Sequence, residues 1–221
     1  MNDSWHQNVK SKNRKEIISA GRELFLKNNF LNVNVKDICI LACVSRVTFY
    51  KHFKSMDELI FEVQMGILNN MTDFIIARDN IENNGLERIK KILYSWIDFA
   101  KQFKDEMKFI ILFDLYYEDY DTDKELKNKY ENFINEENNR DFLYLAINKG
   151  IEDKSLRPNL DPIKTGYYIF QTIIAVLQRM IYTKLSKKYG VVSFDDIVFS
   201  VVDMIINSIK NTNINRNINN N

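Results

Sequence analysis

Residues 34–53 read NVKDICILACVSRVTFYKHF. Asn34 followed three residues later by Asp37 marks a helix start: a short polar side chain takes orphan N–H groups and an acid reaches back. The pattern predicts a helix from Val35 to Ala42, a tight turn through Cys43 and Val44, and a second helix from Arg46 to His52 with Ser45 as its N-cap. Ala42 is small enough to let the two helices approach, and Val44 can plug a small core. Phe49 and Phe53 are four apart and face inward. The opposite face then shows Arg46, Thr48, Tyr50, Lys51 and His52, which can reach phosphate oxygens and base edges. The layout is that of a helix-turn-helix.

Working outward, the same start signals divide the rest of the chain. Ser55-x-x-Glu58 and Thr122-x-x-Glu125 fit the capping box strictly, and Asn13, Asn84 and Ser193 open weaker versions. Asp161 before Pro162 is a further start, because proline is tolerated at the first helical position. The expected helices run from Ser11 to Asn28, Met56 to Arg78, Gly85 to Phe103, Glu106 to Tyr117, Lys124 to Lys149, Pro162 to Lys188 and Phe194 to Lys210. Gly150 is expected to stop the Lys124 helix in a left-handed conformation. Two Pro and six Gly in 221 residues leave few breakers, so the fold class is all-α. The expected organisation is a three-helix head over residues 10–55, a larger helical body over 56–210 and a disordered tail over 211–221.

Charge separates along the chain. Residues 1–55 hold ten Lys+Arg against four Asp+Glu, a net of +6, and the remainder carries −5. A basic head on an acidic body fits a phosphate-binding module joined to one that does not bind phosphate. The opening MNDSWHQNVKSKNRKE has no apolar core, and the apolar run from Gly166 to Tyr182 is broken by Gln171, Gln178 and Arg179. Neither reads as a signal peptide or a spanning helix, which fits a cytoplasmic protein. Heavy use of Asn, Ile and Lys, whose codons are A/T-rich, points to a low-GC bacterial source.

The head resembles the tetracycline-repressor-like (TetR) transcription regulators over roughly residues 10–71. The resemblance is carried by Asp37, Ile38, Ala42, Val44, Ser45, Thr48, Tyr50, His52, Phe53, Ser55, Glu58 and Leu59. It implies a helical homodimer that binds palindromic operator DNA, most often as a repressor. It also implies a body that dimerises through its last two helices and holds a pocket whose ligand releases the DNA. Carried over by position, the DNA contacts are Lys36, Ser45, Arg46, Thr48, Tyr50, Lys51 and His52, with Lys54 near the backbone. Two residues depart from the family pattern. Cys43 replaces the usual turn glycine, where a left-handed backbone costs a side chain about 1 kcal/mol. Val47 stands where Gly, Pro or Ala is common, and changes how closely the helix approaches the groove.

The body is dense in aromatic residues. An effector pocket is expected from Trp96, Phe99, Phe113, Tyr117, Tyr167, Phe170 and Gln171, for a small apolar or aromatic ligand, since few cations lie at inward positions. The bland alternative is a plain aromatic core. A stripe of Val198, Val201, Val202, Ile205 and Ile209 is expected to complete a dimer bundle. An enzyme finds little support: the chain has no Gly-rich phosphate loop and no nucleophile placed by a histidine, and pairs such as Glu118/Asp119 and Glu136/Glu137 read as solvated faces. Cys39 and Cys43 have no companion ligands, since His6 and His52 are the only histidines, so neither metal nor cofactor is expected. A DNA-binding protein acting by occupancy alone, without an effector, stays open beside the ligand-controlled repressor.

Overall fold

The computed structural model describes residues 2–79, 81–118, 120, 122–135, 141–183 and 192–212, with side chains from residue 10 onward. The expected pairs Glu118/Asp119 and Glu136/Glu137 and most of the tail fall wholly or partly outside these residues. The described residues form helices α1 (Asn2–Asn28), α2 (Val35–Leu41), α3 (Arg46–His52), α4 (Met56–Ile76), α5 (Gly85–Gln102), α6 (Lys104–Glu118), α7 (Lys124–Asn135), α8 (Phe142–Glu152), α9 (Pro162–Tyr182) and α10 (Phe194–Ile209). The all-α reading holds, and among the described residues no helix is long and apolar enough to cross a membrane.

The helix starts follow their capping side chains. Asn34 with Asp37, and Ser193 with Asp196, form complete capping boxes. Asn84 accepts from the Glu87 N–H and Asp161 from the Lys164 N–H. At Ser55 the hydroxyl accepts from the Glu58 N–H at 3.1 Å, while the Glu58 carboxylate reaches back to the Lys54 N–H. Thr122 is displaced as a cap by its neighbour: Asp123 accepts from the Leu126 N–H at 3.0 Å, a carboxylate being the stronger acceptor there.

Two expectations are corrected. The helix expected from Lys124 to Lys149 is two described segments, with α7 ending at Asn135 and α8 starting after Asp141. Gly150 does not stop a helix in a left-handed conformation; it lies inside α8, and the left-handed residue is Lys154, at φ 66°. Gly150 is small for a packing reason: a Cβ there would meet the Leu156 side chain at 2.5 Å.

The chain forms two compact units. The first comprises residues 1–70 and 105–135, the second residues 71–104 and 136–221. The core of the first unit is aromatic. Phe25, Phe30, Phe49, Phe53, Phe61, Phe109 and Phe113 are fully buried, together with Ile17, Ile38 and Leu59. Three of its helices are tied by polar links: Arg22 of α1 pairs with Glu106 of α6 at 2.5 Å, and the Asn70 amide oxygen of α4, turned toward Arg22, accepts from both guanidinium nitrogens.

In the second unit α5 packs on α8, α9 and α10. The loop after α8 caps α5: the Asp153 carboxylate accepts from the Gly85 N–H at 2.8 Å and the Ser155 hydroxyl from the Leu86 N–H at 3.1 Å. One inward cation departs from expectation. Arg88 of α5 is buried, and its guanidinium is held by the equally buried Asp79 carboxylate. The stripe on α10 is also used differently. Val198, Val202, Ile205 and Ile209 are buried within the chain itself, because α10 packs its apolar face on α5 and α9. The faces left open carry Ile163, Tyr167 and Tyr182 on α9 and Phe199 and Met204 on α10.

Candidate nucleic-acid interface

The turn between α2 and α3 has the geometry that the sequence requires. The Ala42 N–H donates to Ile38 O, and the Val44 N–H donates to Cys39 O at 3.0 Å. Between them Cys43 takes a left-handed φ of 52°, the conformation expected of the missing glycine. Its side chain is exposed, whereas Cys39 is buried, and burial pushes the Cys39 thiol up from its usual range. Among the described residues no group of three or more His, Cys, Asp or Glu side chains is placed to hold a metal.

Ser45 then starts α3. Its hydroxyl accepts from the Thr48 N–H at 3.0 Å and lies 2.9 Å from the Thr48 hydroxyl. Phe49 and Phe53 are fully buried, and their rings lie 5.8 Å apart. With that face fixed inward, Arg46, Val47, Tyr50 and Lys51 are exposed and point the other way, while Thr48 and His52 are half-buried. Lys36 of α2 and Lys54 are exposed as well, and Lys54 makes only a long, open ion pair with Glu125 at 3.5 Å. The helix-turn-helix thus collects the DNA residues expected from sequence on one small domain, with Thr48 partly committed to the cap.

Two cations from another helix join this site. Burial holds the His52 imidazole below its usual pKa, and the charges of Lys10 and Arg14 of α1, with Lys51, push it the same way. Both effects favour the neutral imidazole. Arg14 also lies over the Phe53 ring, 5.2 Å from its centroid, and pairs with Glu62 at 2.8 Å. Sequence reasoning missed these α1 residues, whose only signal was the basic count of the head. It also gave Val47 no contact role, although 66% of that residue is exposed.

The pattern of the family described as bacterial regulatory proteins, tetR family, matches residues 17–63, which run from the middle of α1 to the first turns of α4. Residues 17–63 are thus similar to the helix-turn-helix head of the tetR family. Solved structures extend the likeness in fold over most of the chain. The ketosteroid transcriptional regulator KstR2 of Mycobacterium tuberculosis is similar at 17% identity and a TM-score of 0.59, over 89% of this chain and 94% of its own. The fatty acid degradation regulator FadR from Bacillus halodurans is similar at 16% identity and a TM-score of 0.64, over 87% and 97%. AibR, solved in complex with isovaleryl coenzyme A and operator DNA, is similar at 16% identity and a TM-score of 0.59, again over 87% and 97%. No curated protein matches the sequence.

The residues expected to line an effector pocket fall in both units. Phe113 and Tyr117 belong to the first unit, where they stack on each other at 5.8 Å and pack against Phe61 and Tyr130. Trp96, Phe99, Tyr167, Phe170 and Gln171 belong to the second. There Trp96 and Phe99 are buried, and the Trp96 ring meets Phe142 at 5.9 Å and Phe170 at 5.5 Å. Tyr167 and Gln171 are exposed on α9. A separate open cleft of about 380 Å³ lies in the second unit between the ends of α5 and α9 and the start of α10, lined by Lys101, Met180, Ile181, Phe194 and Asp195. Lys101 and Asp195 pair across it at 2.5 Å.

Proposed function

We propose that this regulator is a cytoplasmic, non-enzymatic homodimeric repressor that binds a palindromic operator and is released from it by a small apolar ligand. The observation that carries the DNA half is the outward face of α3. Arg46, Tyr50 and Lys51 stand exposed on a helix whose other side is locked by Phe49 and Phe53, with Lys36, Lys54, Lys10 and Arg14 around it. Phosphate contacts by these cations and by the Ser45, Thr48, Tyr50 and His52 side chains would set the register, and α3 would lie in the major groove.

Dimerisation supports the palindrome, because two recognition helices must stand about 34 Å apart to read successive major grooves. The exposed faces of α9 and α10, with Ile163, Tyr167, Phe199 and Met204, are the surfaces we assign to it. The effector half rests on Trp96. Its ring is buried among Phe142 and Phe170, yet among the described residues its Nε1–H meets no acceptor. A buried donor without a partner costs about 1–3 kcal/mol, which a ligand carrying one acceptor oxygen and an apolar body would recover. AibR, of the same fold, was solved with an acyl thioester as well as operator DNA. The close packing of Phe113 and Tyr117 favours a second reading, in which the protein acts by occupancy alone.

The test is selection of duplexes from a random library with the full chain, followed by fluorescence anisotropy on the selected sequence. A two-fold symmetric site bound far above random DNA is the expected result. Failure to enrich any sequence would overturn the assignment of α3. A screen of apolar carbonyl compounds for operator release, read in parallel by Trp fluorescence, separates the effector model from occupancy alone.

A further inference from the structure

We infer that Val47 is a specificity-determining residue that meets the C5-methyl group of a thymine in each operator half-site. The inference rests on the reading of α3 as the DNA-contacting helix and goes beyond it by naming a base. Val47 lies two positions before Phe49, so it points away from the core that Phe49 fills. With 66% of its surface exposed, it is a branched hydrocarbon among polar neighbours: Arg46 beside it, and Tyr50 and Lys51 one turn on. Each of those neighbours carries a group that can bond to a phosphate or a base edge, and Val47 carries none.

The chemistry of the groove then leaves one partner. Base edges in the major groove present donors and acceptors, and the single apolar group among them is the thymine methyl. Pressed on a phosphate, or on the acceptors of guanine, the isopropyl group would remove water without replacing its hydrogen bonds. Against a thymine methyl it buries hydrocarbon on both sides. The position is also held firmly: Val47 sits inside the first turn of α3, which Ser45 fixes through the Thr48 N–H. Thr48, the neighbour whose methyl could compete for the same thymine, is half-buried and has its hydroxyl turned to Ser45.

Uracil pairs as thymine does and lacks only that methyl. In the selected operator, each thymine is replaced in turn by uracil, and the affinity of the full chain is measured by anisotropy. One thymine per half-site should weaken binding by about fourfold when replaced, the effect of losing one buried methyl. Val47→Ala, expected to melt as the parent protein does because the residue is exposed, should bind the thymine operator about as weakly and lose most of the penalty for uracil at that position. Tyr50→Ala, which removes the neighbouring ring, should bind more weakly overall yet keep the same uracil penalty, which separates Val47 from that ring. Indifference of the parent protein to uracil at every position would overturn the inference while leaving operator binding intact. A full uracil penalty retained by Val47→Ala would overturn it equally. Loss of all sequence-selective binding in the parent protein would instead remove the reading of α3 beneath it.

Discussion

Gly85, the first residue of α5, lies directly against Gly150 of α8: a Cβ on Gly85 would sit 2.1 Å from the Gly150 nitrogen and 2.5 Å from the Ala146 carbonyl oxygen. Both obstacles are backbone, which cannot rotate away. Gly85→Ala should therefore lower stability by about 3 kcal/mol, the upper end of overpacking costs. Gly66, in the middle of α4, is the control, because nothing lies within 4 Å of a Cβ built there. Gly66→Ala should raise stability by about 0.5–1 kcal/mol. Urea melts of both variants check the contrast, and equal effects would contradict the close crossing of α5 and α8.

Cys43→Gly tests the turn. The left-handed φ of 52° strains a side chain that glycine lacks, although glycine also loses more freedom on folding. A net gain of about 0.5–1 kcal/mol is expected, with operator affinity unchanged. A loss of stability would mean that the exposed Cys43 side chain holds the turn by a contact of its own.

Lys51→Ala should weaken operator binding and reduce the slope of log affinity against log salt by about 1, since one phosphate contact and its released counterion disappear. Tyr50→Ala should weaken binding with little change in slope, because its hydroxyl carries no charge. Anisotropy at several salt concentrations distinguishes the two, and an unchanged affinity in both would remove α3 from the interface.

His52 predicts a pH dependence. Burial and the cations Lys10, Arg14 and Lys51 depress its pKa in the free protein. Phosphates placed beside the ring favour the protonated form, so binding takes up a proton and affinity should rise as the pH falls from 8 toward 6, by at most about tenfold per unit. The sign for stability is opposite. The unfolded chain protonates first, so the stability that neutral His52 contributes is present above its ordinary value of 6.5 and is lost as the pH falls. His52→Gln should flatten both profiles. A pH-independent affinity in the parent protein would place His52 away from the phosphates.

Assembly is probed by a pair of substitutions on α10. Met204 is exposed and Val202 is buried in the chain's own core. Met204→Glu should leave the fold intact and shift sedimentation toward monomer. Val202→Glu should unfold the protomer, because an unpaired carboxylate replaces a core side chain. A Met204→Glu protein that remains dimeric would move the interface off this face.

What the sequence by itself determined is local. The Asn34–Asp37 box, Ser45 and the Phe49/Phe53 pair define α2, the turn and α3 to within a residue, because caps act over three positions and helical periodicity over four. The strained Cys43 and most candidate DNA contacts follow from the same short range. The tertiary structure alone decided which apolar faces are covered. The Val198 to Ile209 stripe and the exposed Met204 share one helix, and periodicity marks a face as apolar without saying whether the chain or a second copy buries it. It likewise decided that Phe113 and Tyr117 pack with Phe61 while Trp96 packs with Phe142 and Phe170. Aromatic density along the sequence does not say which rings meet. Gly150 gives the same lesson on the scale of one residue: its sequence setting reads as a helix stop, and only the approach of the Leu156 side chain shows why the position is kept small.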